Sequence, residues 1–248
     1  CLEAIQEGVT FTLDNIYPLK NWSEIFKNKD IFLRIDPGHG KGHHDYVKTA
    51  GEQSKFGILP DELDHIEELR NKNKFSIKGL HAHAGSGIHN TSHWKEIGLF
   101  LSKLAARFPE VEVINVGGGL GVKNRPGDFN IDLKQLELGL LEVKKKFPHY
   151  QIWMEPGRYL ASEGGILLTK VTQKKKKGHT HYLGIDAGMN ILIRPTLYGA
   201  YHHILNLTHL DKPLTEVTNI VGPICETGDR IGSSRAFPKS DEGDILLI

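Results

Sequence analysis

The chain has 248 residues, 39% hydrophobic and 25% charged, the composition of a globular protein with enough chain for a sizeable core, which excludes a disordered, collagenous or coiled-coil protein. Lys and Arg number 31 against 30 Asp and Glu, a formal charge of +1, so no basic field is aimed at nucleic acid or an acidic membrane. The expected ligand is a small molecule.

The N-terminal segment CLEAIQEGV has neither the charged n-region nor the apolar h-region of an export signal, and no run approaches the roughly 18 apolar residues of a membrane span. Cys1 and Cys225 are the two cysteines. They are too far apart in sequence to read as a disulfide framework, so a reducing compartment, the cytoplasm, is expected. Apolar or β-branched runs at residues 9–13, 31–35, 78–83, 113–116 and 151–154 predict five strands. Between them DELDHIEELRNK, HWKEIGLFLSKLAARF and LKQLELGLLEVKKKF have helical spacing, with Asp61 and Asp132 as expected caps. This α/β alternation implies a parallel sheet, either doubly wound or part of an eight-stranded barrel. Beyond about Ala161 the pieces GILLTKVTQ, THYLGIDAGM, LTEVTNIVGPI and DILLI follow with little helical pattern. The expected division is a barrel part over residues 1–161 and a β domain over 162–248. Lys174 to Lys177 read as a solvated hairpin tip without functional weight. A first residue other than Met, and a strand-like ending with no cap after it, lead to the expectation that both ends are cut.

Chemistry is expected at the strand ends, where parallel α/β folds bind ligands. In GLHAHAGSG, His81 and His83 are two apart and share a face if the strand persists. A catalytic metal is the rival reading, but the later strand ends, NVGGGLG and MEPGRYL, offer backbone amides and a guanidinium instead of further ligands. Those groups suit an anion. Gly117, Gly118 and Gly119 let the backbone approach a phosphate, with Ser86 and Arg158 adding a hydroxyl and a charge. Glu155 is either a locally bonded carboxylate or a buried one facing a pyridine nitrogen, where it keeps the ring protonated as an electron sink. In that second case His83 covers the ring face. GPICETGD places the Cys225 thiol beside Glu226 in a Gly-flanked loop, an exposed position for passing a proton to a carbanion. Arg194 and Tyr198 in RPTLYGAYHH are four apart, on one helical face, where an arginine can grip a carboxylate. The remaining histidines, including His39, His43, His44, His202 and His203, have no defensible ligand spacing.

With the motifs HAHAGSG, NVGGGLG, EPGRYLAS, DAGMN, RPTLYGAYHH and CETGD in order, essentially the whole chain resembles the fold-type III pyridoxal-phosphate decarboxylases. The segment IDPGHGKGHHDYVKTAGEQSKFGI further resembles the form fused behind an aspartate kinase domain, although no kinase sequence is present. The resemblance implies a partial (β/α)8 barrel of the alanine-racemase type followed by a β domain, with pyridoxal 5'-phosphate as cofactor. It implies that His83 stacks on the pyridine ring, that Ser86, Gly117, Gly118, Gly119 and Arg158 hold the phosphate, and that Glu155 pairs with the ring nitrogen. Cys225 would act as proton donor in a neighbour's site across a two-fold dimer interface, with Glu226 on the substrate's distal amine. Arg158, Arg194 and Tyr198 complete the substrate site. A distal carboxylate on Arg194 favours meso-2,6-diaminopimelate, giving L-lysine and CO2, over simple diamine precursors such as ornithine, and a related decarboxylase acting on arginine, ornithine or carboxynorspermidine is the alternative within the same fold. None of the lysines sits in the family's Schiff-base motif, so the chain as it stands is expected to be inactive. A non-catalytic pyridoxal-phosphate-binding module is the alternative.

Overall fold

A computed structural model describes residues 2–38, 40 and 49–248. They fall into two units: one runs to Ser162 apart from Lys123–Phe129, and the other joins Lys123–Phe129 to Glu163–Ile248.

In chain order the first unit contains α1 (Leu2–Gln6), β1 (Phe11–Leu13), α2 (Tyr17–Asn21), α3 (Ser23–Phe26), β2 (Asp30–Arg34), α4 (Leu63–Asn73), β3 (Ser76–His81), α5 (Ser92–Ala105), β4 (Val113–Gly118), α6 (Leu133–Lys146), β5 (Gln151–Glu155) and α7 (Gly157–Ala161). The five strands form one parallel sheet in the order β1-β2-β3-β4-β5. A doubly wound sheet reverses its order at a switch point, whereas consecutive β/α units of a barrel pair in sequence. The sequential order therefore selects the barrel-type arrangement of the two that periodicity allows. Burial follows position in the sheet: every residue of β4 is buried, while the edge strand β5 alternates between exposed and half-buried. The core gathers Leu33, Leu80 and Ile114 from the sheet with Trp94, Ile97 and Leu101 from α5. Those helix residues recur at three- and four-residue spacing, the apolar stripe expected of a surface helix. Gly98 lets α5 approach α6, since a β-carbon there would lie 3.1 Å from a Val143 methyl.

Asp132 caps α6, its carboxylate accepting from the Lys134 and Gln135 amides. Asp61 does not cap. It lies inside a 3-10 turn, Pro60–Glu62, where the Glu62 carboxylate instead takes the Leu59 N–H at 3.0 Å. Proline at the first turn position starts that turn one residue early, which leaves Asp61 inside it.

The second unit contains β6 (Leu168–Lys177), β7 (Thr180–Ile185), α8 (Arg194–Tyr198), β8 (Leu205–Asn206), β9 (Glu216–Val221), β10 (Arg230–Phe237) and β11 (Ile245–Leu247). They form a sheet ordered β10-β9-β7-β6-β11-β8, with β7 and β9 parallel and the other pairs antiparallel. Val171, Leu183, Ile185, Ile220 and Phe237 form its core. Lys174 to Lys177 belong to β6 rather than to a hairpin tip. Cross-strand pairing runs on to Lys177 opposite Thr180, and Gly178, at φ +59°, makes the turn. β8 and β10 had no strand signal, because β8 is two residues long and β10 is interrupted by register shifts around Gly232. Among the described residues no helix is long and apolar enough to cross a membrane.

Candidate active site

β3 ends at His81, so His83 lies past the strand and the two histidines do not share a strand face. His81 is 6% exposed, and its Nε2 stands 3.5 Å from Oε2 of Glu155 at the end of β5. His83 is held at both ends. Its ring Nδ1 accepts the Gly118 N–H at 3.1 Å, and its carbonyl accepts from the Arg34 guanidinium at 3.2 Å and the Thr49 hydroxyl at 2.7 Å. With Nδ1 an acceptor, a neutral ring carries its proton on Nε2. Burial, and then the charges of Arg34 and His81, push the His83 pKa down and favour that neutral form. The result is a fixed, uncharged aromatic plane.

The three glycines are required by close packing of strand ends. A β-carbon at Gly117 would lie 2.5 Å from the Ala82 carbonyl oxygen, at Gly118 1.9 Å from that of Glu155, and at Gly119 2.1 Å from that of Gly85. Gly117 and Gly119 also have φ of +69° and +87°, which side chains resist. The Gly117 amide donates to Asn115 Oδ1 at 2.9 Å and the Gly118 amide to His83, while the buried Trp94 indole donates to the Gly118 carbonyl at 3.1 Å. These two amides are thus used inside the chain rather than aimed at an anion. Their contribution to an anion site is to bring the strand ends together, and Gly119 is the one that packs on the Gly85–Ser86 backbone.

That packing delivers the polar groups. Pro156 leads β5 directly into α7, which carries Arg158 to the loop after β3, where its Nη2 donates to the Ser86 hydroxyl at 3.2 Å. Glu155 departs from expectation in being 53% exposed, and its partners come from β4 and β3 rather than from its own loop. Oε1 accepts from Asn115 Nδ2 at 2.8 Å while Oε2 faces His81. The Gly117 amide on Asn115 Oδ1 fixes which end of that side chain points at Glu155. His81 foremost, with Asn115, holds the Glu155 carboxyl down to about 2. The strand ends therefore gather an ionised carboxylate, a neutral imidazole and a hydroxyl–guanidinium pair.

In the second unit α8 does carry Arg194 and Tyr198 one turn apart. Arg194 Nη1 lies 3.3 Å from His202 Nε2, and burial with the Arg194 and Arg235 charges pushes the His202 pKa down, suiting its ring nitrogen to accept. Cys225 is a free, exposed thiol. Glu226 accepts the Gly228 N–H at 3.0 Å, and Thr196 of α8 donates to the Gly228 carbonyl at 2.9 Å, tying helix and loop together. The loop is organised by Asp229, 2% exposed, whose carboxylate accepts the Met189 and Ile224 amides at 2.7 and 2.9 Å. Arg34, Thr49, Asn115 and Asp229 escaped sequence reasoning. The available signal was their place at strand ends or inside the quoted motifs. His39, His43, His44 and Cys1 lie outside the described residues.

Residues 2–162 match the family model of the pyridoxal-dependent decarboxylases, pyridoxal binding domain. The chain is 34% identical to the diaminopimelate decarboxylase of Methanothermobacter thermautotrophicus, covering 99% of this chain and 60% of that protein. It is 32% identical to the diaminopimelate decarboxylase of Escherichia coli K12, covering 100% of this chain and 63% of that protein. The crystal structure of Helicobacter pylori diaminopimelate decarboxylase complexed with L-lysine superimposes with a TM-score of 0.88 at 27% identity, covering 99% of this chain and 63% of that one. The chain thus spans about three-fifths of the length of these curated relatives.

Proposed function

Because the chain belongs to the pyridoxal-dependent decarboxylase family, we propose that it is the larger part of an enzyme that converts meso-2,6-diaminopimelate to L-lysine and CO2, the last step of lysine biosynthesis. The first unit is then the pyridoxal-binding portion of a (β/α)8 barrel and the second its β domain. The observation that carries this reading is the ionised Glu155, fixed by Asn115 and His81 at the same strand ends as the neutral His83 and the Ser86–Arg158 pair.

These groups fit the family's cofactor, pyridoxal 5'-phosphate. A protonated ring nitrogen calls for an ionised carboxylate, a flat ring for an uncharged aromatic plane, and a phosphate for a hydroxyl beside a guanidinium. When bound, pyridoxal phosphate supplies the sink for the electrons left behind as CO2 departs. Glu155 holds a proton on the ring nitrogen, His83 covers the ring face, and Ser86 and Arg158 secure the phosphate at the strand ends that the close packing of Gly117, Gly118 and Gly119 brings together. None of this chain's lysines is assigned to the Schiff base.

Arg194 and Tyr198 bind the distal carboxylate, with Arg158 also contacting substrate, and Glu226 takes the distal amine. Cys225 returns a proton to the carbon that lost CO2. Its exposure suits a role in a two-fold partner's site, so the working form is a homodimer, in the cytoplasm. The relatives' names, and the L-lysine in the Helicobacter pylori complex, support this substrate over ornithine, arginine or carboxynorspermidine, none of which offers Arg194 the same distal amino-acid group.

The test is CO2 release by the enzyme from the full reading frame, supplied with pyridoxal phosphate and given meso-diaminopimelate, L-ornithine and L-arginine in parallel. Release from meso-diaminopimelate alone is expected. Release from another amino acid would overturn the roles of Arg194 and Glu226, and release from none would favour a non-catalytic binding module.

A further inference from the structure

Two side chains hold the Glu155 carboxylate, and they differ in what they cost. Asn115 is engaged at both ends of its amide, accepting from Gly117 and donating to Glu155. His81 is not. It lies 6% exposed between the buried Leu80 and Ala82, its Nδ1 has no hydrogen-bond partner among the described residues, and its Nε2 has only the 3.5 Å approach to Glu155 Oε2. Burying Nδ1 without a partner opposes folding, and because Glu155 is more than half exposed its contact with Nε2 is screened and offsets little of that cost, so an apolar side chain of similar volume would pack there more cheaply. His81 and Asn115 are register neighbours on β3 and β4, so each meets a different oxygen of the same carboxylate.

We infer that His81 is a positioning residue, held in the core at the expense of stability because, with Asn115, it fixes the plane in which the Glu155 carboxylate meets the cofactor's ring nitrogen. The inference rests on the reading of Glu155 given above. The other charged or titratable groups acting on that carboxylate are His83 and Arg34. His83 is committed to the Gly118 amide and Arg34 to the His83 carbonyl, so neither replaces His81.

The test uses the full-length enzyme carrying His81→Leu, His81→Gln or Glu155→Ala. His81→Leu should lower kcat by about tenfold or more while KM and pyridoxal-phosphate affinity stay within about threefold, because the bound groups remain and only their alignment is lost. The melting temperature of the cofactor-free Leu variant should equal or exceed that of the parent. His81→Gln, which keeps a donor, should recover most of kcat. In the cofactor-free protein, Glu155→Ala should shift the His81 Nε2 resonance in a long-range imidazole 15N spectrum. A Leu variant with parental kcat would overturn the inference. So would Leu and Gln variants equally slow and equally destabilised, since that pattern marks a merely structural histidine, or an unmoved Nε2 resonance. Full turnover in Glu155→Ala would bring down the reading of Glu155 itself, and this inference with it. Lost turnover there beside an active His81→Leu enzyme would bring down the inference alone.

Discussion

Glu155 shows how little of a residue's chemistry is local. Its sequence neighbours Pro156 and Arg158 suggest a loop carboxylate, yet its acidity is set by Asn115 on the adjacent strand β4 and, foremost, by His81 on β3 one strand further on. Glu155→Ala in the full-length enzyme should reduce kcat by about 100-fold or more, the scale of losing a group that stabilises developing charge, with pyridoxal-phosphate affinity changed only a few-fold. A comparable loss in both would assign Glu155 to binding. The same group makes a pH prediction. Its folded-state pKa of about 2 lies below the ordinary 4.5, so its stabilising contribution is complete above about pH 4.5 and fades as pH falls toward 2. Because the side chain is more than half exposed, solvent screening keeps that contribution small. Urea midpoints measured at pH 6 and pH 3 should therefore fall slightly further in the parent than in Glu155→Gln, and identical falls would refute it.

At the scale of elements, the unit that matters is the packed set of strand ends. NVGGGLG reads as a motif in sequence, but the reason for its glycines is the contact of β4 with the ends of β3 and β5. Gly118→Ala would force a methyl group to 1.9 Å from the Glu155 carbonyl oxygen. Relief requires separating β4 from β5, at a cost of about 3 kcal/mol or more, the upper range for overpacking. Chemical denaturation of the cofactor-free protein measures this, and a loss below about 1 kcal/mol would mean that the strand ends yield easily. Gly127 is the contrast. Nothing lies within 4 Å of a β-carbon built there, so only its φ of +92° resists substitution. The CETGD loop has the same logic as NVGGGLG: its organising residue is the buried Asp229, although Cys225 and Glu226 attract attention first.

For the whole molecule, the residues proposed for the cofactor lie in one unit, and Arg194, Tyr198, Cys225 and Glu226, proposed for substrate and proton transfer, lie in the other. If sites are shared across a two-fold axis, enzyme carrying Cys225→Ala and enzyme carrying Glu155→Ala should complement. Random exchange makes about half the dimers mixed, and one of the two sites in each is intact, so about a quarter of parental activity should return. No recovery after verified subunit exchange would place Cys225 in its own subunit's site.

The sequence alone determined the alternation of strands and helices, the Asp132 cap and the set of motif residues, because each is written in neighbours a few positions apart. The change of period beyond Ala161 led to the expected division into residues 1–161 and 162–248, but no local pattern recorded that Lys123–Phe129 groups with the second unit. The sequence left open whether the parallel sheet was doubly wound, and it misplaced the Lys174 to Lys177 run and Asp61. Sheet order, the end of β3 before His83 and the partners of Glu155 were decided only by tertiary structure. Asn115 reaches Glu155 across 40 residues of chain, and no local period records which strand end will lie beside which.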